Sequence, residues 1–302
     1  MILLLNLMIS EAANKNQSLY ICDRDYLSCK MGLSQWKDYS LWLSARYSLS
    51  YQAITHLSYK LSKIIESLLG KSKKCLVLDL DDTLWPLLPV IIKAEQKTNA
   101  WLKKNYPAAS RLIQSDSMLK IRNRLIRENP KLVYQLSNLR SHVLSELGLE
   151  AGFSKEDSEK MAKDSFEIFF EERNKVSLYD GAEETLKALK DKFILGVITN
   201  GNADLKKIGL DHIFKITLSA SDLNAGKPDP KIFEAFIEKT GFRPQEICHV
   251  GDHPKNDIEG ALNAGMKAIW FNEKKIDNPF ERSSVIEINS WKELEPEIIR
   301  LT

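Results

Sequence analysis

The sequence predicts an α/β protein: a doubly wound parallel sheet interrupted by an α-helical insertion. Three observations carry this prediction. Apolar runs without proline end in polar groups, as in Cys75-Leu-Val-Leu-Asp79, Phe193-Ile-Leu-Gly-Val-Ile-Thr199 and Ile247-Cys-His-Val-Gly251-Asp252; such runs are strands buried on both faces. Helical patterns near 182–191, 230–240 and 256–264 alternate with these runs and with a further strand, Lys267-Ala-Ile-Trp-Phe271, and alternation of this kind implies parallel pairing with helices on both faces. Finally, the stretch 86–178 reads as helical throughout.

The strand ends carry the chemistry. In open α/β sheets, ligands bind just beyond the carboxyl ends of the strands. Asp79 and Asp81, two positions apart after the first strand, are therefore placed to share one metal ion. Three acids among the four residues 79–82 repel unless a cation compensates. Thr199 ends the second strand, Lys227 lies in the turn Gly226-Lys-Pro-Asp-Pro230, where proline holds it extended, and Asp252 and Asp257 follow the next strand. A carboxylate can attack phosphorus, splitting one displacement into two easier ones. Magnesium suits an all-oxygen site that brings a phosphoryl group among acids.

These four segments, in this order, resemble the motifs of the haloacid dehalogenase (HAD) superfamily. The resemblance implies that Asp79 is the nucleophile and a metal ligand. Asp81 is implied to be the acid that protonates the leaving oxygen, then the base that activates water, and to give the metal its backbone carbonyl. Thr199, Asn200 and Lys227 are implied to bind the phosphoryl group, Asp252 to complete the Mg2+ site, and Asp257 to orient Lys227 or a metal-bound water; Asp257 also reads as a plain helix-start acid. Relatives that cleave carbon–halogen bonds lack the second acid, so Asp81 favours phosphate transfer to water, or to a substrate hydroxyl as in a phosphomutase. Thr199-Asn-Gly-Asn-Ala203 is similar to one branch, the flavin mononucleotide and 5-amino-6-(5-phosphoribitylamino)uracil phosphatases.

The motifs divide the chain into an extension (1–72), a core (73–85 and 179–302) and the insertion (86–178). Within the insertion, Ile91, Ala94, Thr98, Trp101 and Leu102 follow the helical period, as do Met118, Ile121 and Leu125. Leu132, Leu136, Leu139, Val143 and Leu147 form one stripe stopped by Gly148, and Ser154 with Asp157 reads as a capping box for a helix through Phe170. We expect four helices. In the resemblance they are a type-1 cap that closes over the site, and Tyr179-Asp180-Gly181 returns the chain to the core. The extension holds six of the nine tyrosines and two of the six tryptophans, with an amphipathic helix from Ile54 to Leu68. That density reads as a packing surface for the core or a partner subunit. The junction from Ser67 to Trp85 also resembles HAD proteins that load acyl carrier proteins, which leaves open a carrier-protein or regulatory binding role.

Composition narrows the partners. A net charge of +2 and 28% charged residues provide no field for nucleic acid or membrane surfaces, so the expected partner is a small phosphorylated metabolite. Four cysteines at 22, 29, 75 and 248 show neither metal spacing nor a disulfide framework. The apolar start lacks the cation a secretion signal carries, and a cytoplasmic setting is expected. His249 reads as a core histidine, and His253 as a loop residue with the substrate as its alternative partner. Lys120, Arg122, Arg124, Arg127 and Lys131 read as a solvated face, and Trp85 as core packing or a substrate platform.

Overall fold

A computed structural model describes residues 74–113, 116–280 and 285–301. The 1–72 extension and its amphipathic helix lie outside the described residues. Six strands, β1 (Cys75–Leu78), β2 (Ile194–Thr199), β3 (Ile216–Ser219), β4 (Ile247–Gly251), β5 (Lys267–Phe271) and β6 (Ile286–Ile288), pair in parallel in the order β3-β2-β1-β4-β5-β6. The order runs outward from β1 in one direction and from β4 in the other, so the chain reverses between these two neighbours. That reversal opens a crevice at their carboxyl ends. The expected doubly wound sheet is present; β3 and β6, at its two edges, are additions to the expected strands.

Alternation along β1 divides the core. Leu76 and Leu78 pack with Leu186 and Leu189 of α6 (Ala182–Leu189) and Leu294 and Ile298 of α8 (Leu294–Leu301). Cys75 and Val77 face the other way, against Ile232, Phe233 and Phe236 of α7 (Pro230–Thr240). Successive side chains of a strand point to opposite faces, so one four-residue strand feeds both layers. Burial pushes the Cys75 and Cys248 thiols up to about 12; both are small core fillers.

The insertion has its own core. Five helices, α1 (Leu87–Asn105), α2 (Pro107–Ile113), α3 (Ser117–Glu128), α4 (Leu136–Glu150) and α5 (Lys155–Arg173), enclose Leu102, Ile121, Leu139, Val143, Leu147 and Met161. Two expectations are corrected. Leu132 lies on a separate 3-10 turn, Pro130–Tyr134, because Pro130 fits a first turn but cannot continue a helix. Gly148 does not stop α4: the helix runs on to Glu150, and a Cβ at Gly148 would sit 2.7 Å from Ser158 Oγ on α5. Glycine there lets α4 and α5 approach closely. The short α2, opened by Pro107, is a fifth helix beyond the four expected.

Helix α5 starts as expected, with Ser154 Oγ accepting from Asp157 N at 3.1 Å. Its end is tied to α1. Glu172, 2% exposed, pairs with Lys97 at 2.6 Å, with Lys175 at 3.0 Å and with Lys93 at 3.2 Å. The hydrogen bond from Lys97, helped by the other two cations, holds Glu172 down at about 2 against the opposing effect of burial. The surface cations of α3 are solvated as expected, with Arg124 meeting Glu146 at 2.7 Å. Among the described residues, no helix is long and apolar enough to cross a membrane.

Candidate active site

Asp79 leaves β1 with its N–H on the Val250 carbonyl of β4 at 2.9 Å, which sets it in the crevice at the strand reversal. Lys227 Nζ reaches across from the turn before α7 to Asp79 Oδ1 at 2.5 Å and Asp257 Oδ1 at 2.6 Å, all three side chains being buried. The Lys227–Pro228 peptide is cis, where the sequence pattern implies a simply extended turn. Burial works against the charge on Lys227, but Asp257 and Asp79 together hold its ammonium above the ordinary range. Burial would raise Asp257 too; Lys227 and His249 overcome it and hold that carboxylate well below the usual range. Asp79 is pushed upward by burial, with Lys227 pulling it back and Asp257 and Asp252 adding repulsion.

Asp257 is fully engaged. Oδ1 accepts from Lys227 and lies 2.9 Å from His249 Nε2, and Oδ2 accepts from His253 N at 3.0 Å. It is therefore placed as a support for Lys227. Gly251 makes this possible, since a Cβ there would lie 2.3 Å from Asp257 Cγ. His249 is buried in β4 as expected, but it braces Asp257, which the sequence did not reveal. His253 is exposed, and its Nδ1 accepts from Asn256 N at 3.2 Å, capping the helical turn Pro254–Glu259.

Asp79, Asp252 and Asp257 each offer an oxygen within 4.8 Å of the others. Burial, then repulsion from Asp257 and Asp82, pushes Asp252 up to about 7. Both oxygens of Asp257 are occupied, whereas Lys227 meets Asp79 at Oδ1 alone; Asp79 and Asp252 are the members of this trio available to a cation. An all-oxygen, crowded acidic donor set fits a hard divalent ion such as magnesium. Asp82, the third acid of the first motif, is engaged elsewhere: Oδ1 accepts from Leu87 N at 3.0 Å at the start of α1.

The phosphoryl-binding candidates lie on the β2 side. Thr199 Oγ1 accepts from Gly201 N at 2.9 Å, which leaves its own O–H to donate. The Asn200 side chain clamps Lys227 instead of standing free: Oδ1 accepts from Lys227 N at 2.7 Å and Nδ2 donates to Lys227 O at 2.8 Å. Its placement is that of a residue fixing the lysine turn.

Asp81 is held by two neighbours. Arg173 Nη2, at the end of α5, lies 2.7 and 2.6 Å from Oδ1 and Oδ2, and Trp85 Nε1 donates to Oδ1 at 2.9 Å. Gly201 leaves room for it, since a Cβ there would lie 2.3 Å from Asp81 Oδ2 and 3.3 Å from Thr199 Oγ1. Trp85 is fully buried, so its face is no substrate platform. Trp101 packs on Tyr106 inside the insertion, ring centroids 5.6 Å apart. Beside Gly201 a cavity of about 450 Å3 opens between core and insertion, lined by Ser137, Phe170, Asn202, Asp204 and Lys206 among others.

With the crevice, the buried lysine bridge and the paired acids described, the chain can be set beside known proteins. The family model of haloacid dehalogenase-like hydrolases covers residues 73–265, and the chain belongs to that family; it is a hydrolase. It is 31% identical over 202 residues to the 5-amino-6-(5-phospho-D-ribitylamino)uracil phosphatase YigB of Escherichia coli, spanning 67% of this chain and 84% of that protein. The phosphoserine phosphatase of Thermus thermophilus is 36% identical over 137 residues, 43% of this chain and 53% of that protein. Among solved structures, the 2-haloacid dehalogenase of Pseudomonas syringae pv. Tomato is similar at 36% identity, TM-score 0.73, over 76% of this chain and all (100%) of that one.

Proposed function

We propose that this hydrolase is a magnesium-dependent phosphomonoester phosphatase working through an aspartyl phosphate on Asp79. The observation that carries the reading is the pair of carboxylates Asp79 and Asp81 after one strand, the first ion-paired to buried Lys227 and the second held beside Thr199. Asp79 attacks phosphorus. Thr199 and Lys227 donate to the phosphoryl oxygens, where charge accumulates. Asp81 gives its proton to the leaving oxygen, then takes one from the water that attacks the aspartyl phosphate. Bound magnesium, held by Asp79, Asp252 and the Asp81 carbonyl, would screen the negative charge of the phosphoryl group from these acids.

Asp81 also bears on the dehalogenase reading that the similar solved structure raises. A departing halide needs no proton, whereas an alkoxide does; a carboxylate held in place at this position supports ester cleavage. Residues 86–178 act as the cap that selects the substrate, with the cavity beside Gly201 as the pocket. The identity with the ribitylaminouracil phosphatase and the Thr199–Ala203 segment support flavin mononucleotide or a related ribityl phosphate as substrate, in the cytoplasm. Phosphate release across a panel of phosphorylated metabolites with magnesium tests this. Ribityl phosphates are expected among the better substrates; halide release from a 2-haloacid with no phosphate release from any ester would overturn it.

A further inference from the structure

We infer that Arg173 is a positioning residue for Asp81, the point at which the helical insertion acts on proton transfer. The inference rests on the reading of Asp81 as acid and base. Arg173 is the last residue of α5 and is 1% exposed. Its Nη2 contacts both oxygens of Asp81, and its Nε donates to Asn202 Oδ1 at 3.3 Å. Asn202 in turn donates to Ser137 Oγ on α4 at 3.1 Å. The guanidinium thus sits in a chain that runs from the insertion, through the loop after β2, to the carboxylate.

Position and chemistry both set this arginine apart from a packing residue. The Gly201 Cβ point lies 2.3 Å from Asp81 Oδ2, 3.3 Å from Thr199 Oγ1 and 3.5 Å from Arg173 Nη2. The guanidinium, the acid and the phosphoryl-binding hydroxyl therefore converge on one spot. Nη1 is buried without a protein acceptor, a donor that is costly to leave unmet and that is free for a group from outside the protein. The Asp81 side chain is 14% exposed, and without Arg173 the Trp85 bond is the hydrogen bond left to hold its carboxylate among the described residues. A general acid must be within hydrogen-bond reach of the atom it protonates. Arg173 supplies that placement from the end of α5.

The test uses the full chain with magnesium: Arg173→Gln, Arg173→Lys, Asp81→Asn and the Asp81→Asn/Arg173→Gln double variant. Each is assayed on p-nitrophenyl phosphate, whose leaving group needs little protonation, and on an alkyl phosphate. The value of kcat/KM reports the steps up to phosphoenzyme formation, which isolates the acid role. Arg173→Gln should lower kcat/KM for the alkyl ester by about 10–100-fold and for the aryl ester by less than about 5-fold. The double variant should be no slower than Asp81→Asn alone beyond about 3-fold, since both changes remove one function. Arg173→Lys should recover part of the alkyl activity; it also serves as the second variant if Arg173→Gln does not fold. Equal losses on both esters, or losses that multiply with those of Asp81→Asn, would overturn the inference. Parent-like kcat/KM of Asp81→Asn on the alkyl ester would instead overturn the reading of Asp81 itself, and the inference with it.

Discussion

Lys227 and Asp257 form a fully buried ion pair at 2.6 Å, and the same lysine nitrogen lies 2.5 Å from Asp79. One cation thus stands between the proposed nucleophile and a carboxylate that His249 and the His253 N–H hold from the far side. The electrostatics of the site is built around this shared charge.

Removing it leaves two buried carboxylates facing each other. Lys227→Met should cost about 3–5 kcal/mol of stability, the usual effect of breaking one side of a buried pair, and should abolish turnover. Lys227→Met combined with Asp257→Asn should recover part of the melting temperature but none of the activity. Thermal unfolding and turnover measured side by side check both statements. A single variant as stable as the parent would contradict the assignment.

Gly201→Ala tests the seat of Asp81. The added methyl would stand 2.3 Å from Asp81 Oδ2, so the carboxylate must leave its seat. Turnover of an alkyl phosphate should fall by about 10²-fold or more, and the melting temperature should fall too, since the buried Arg173 guanidinium loses its partner. Unchanged turnover would mean that Asp81 does not act from this position.

Glu172 gives a pH signature. It is held at about 2 in the folded chain, against an ordinary 4.5, so its stabilisation is complete above the unfolded value and is lost as pH falls from about 4.5 towards 2. Glu172→Gln should therefore melt lower than the parent at pH 7, and the gap should narrow through that acid window. A gap that stays constant down to about pH 2.5 would contradict the triple-lysine pairing.

How far the sequence foretells these residues depends on the range of the interaction. Asp79, Thr199, Lys227 and Asp252 follow apolar runs or sit in a proline turn, local patterns that mark a strand end within a few neighbouring residues. The sheet follows from the same runs, except β3 and β6, edge strands in which apolar residues alternate with Thr, Ser or Glu instead of forming a continuous run. Arg173 has no such signal. As the last residue of a helix it reads as an ordinary cation near a helix terminus, and its partner Asp81 is 92 positions away. Trp85, legible as core packing or a substrate platform, packs in the core and also donates its indole N–H to Asp81. Gly148 misleads because a glycine that ends a helix and one that lets two helices touch look alike in sequence.

In the proposed reaction Asp79 takes the phosphoryl group. The most direct measurement is phosphate release with magnesium by the parent and by Asp79→Asn, on the best ester of the panel. The amide cannot form the aspartyl phosphate and is a poor magnesium ligand, so release should fall by at least about 10³-fold, and chelation of magnesium should silence the parent to a similar degree. Asp79→Asn turnover within a few-fold of the parent would contradict the account.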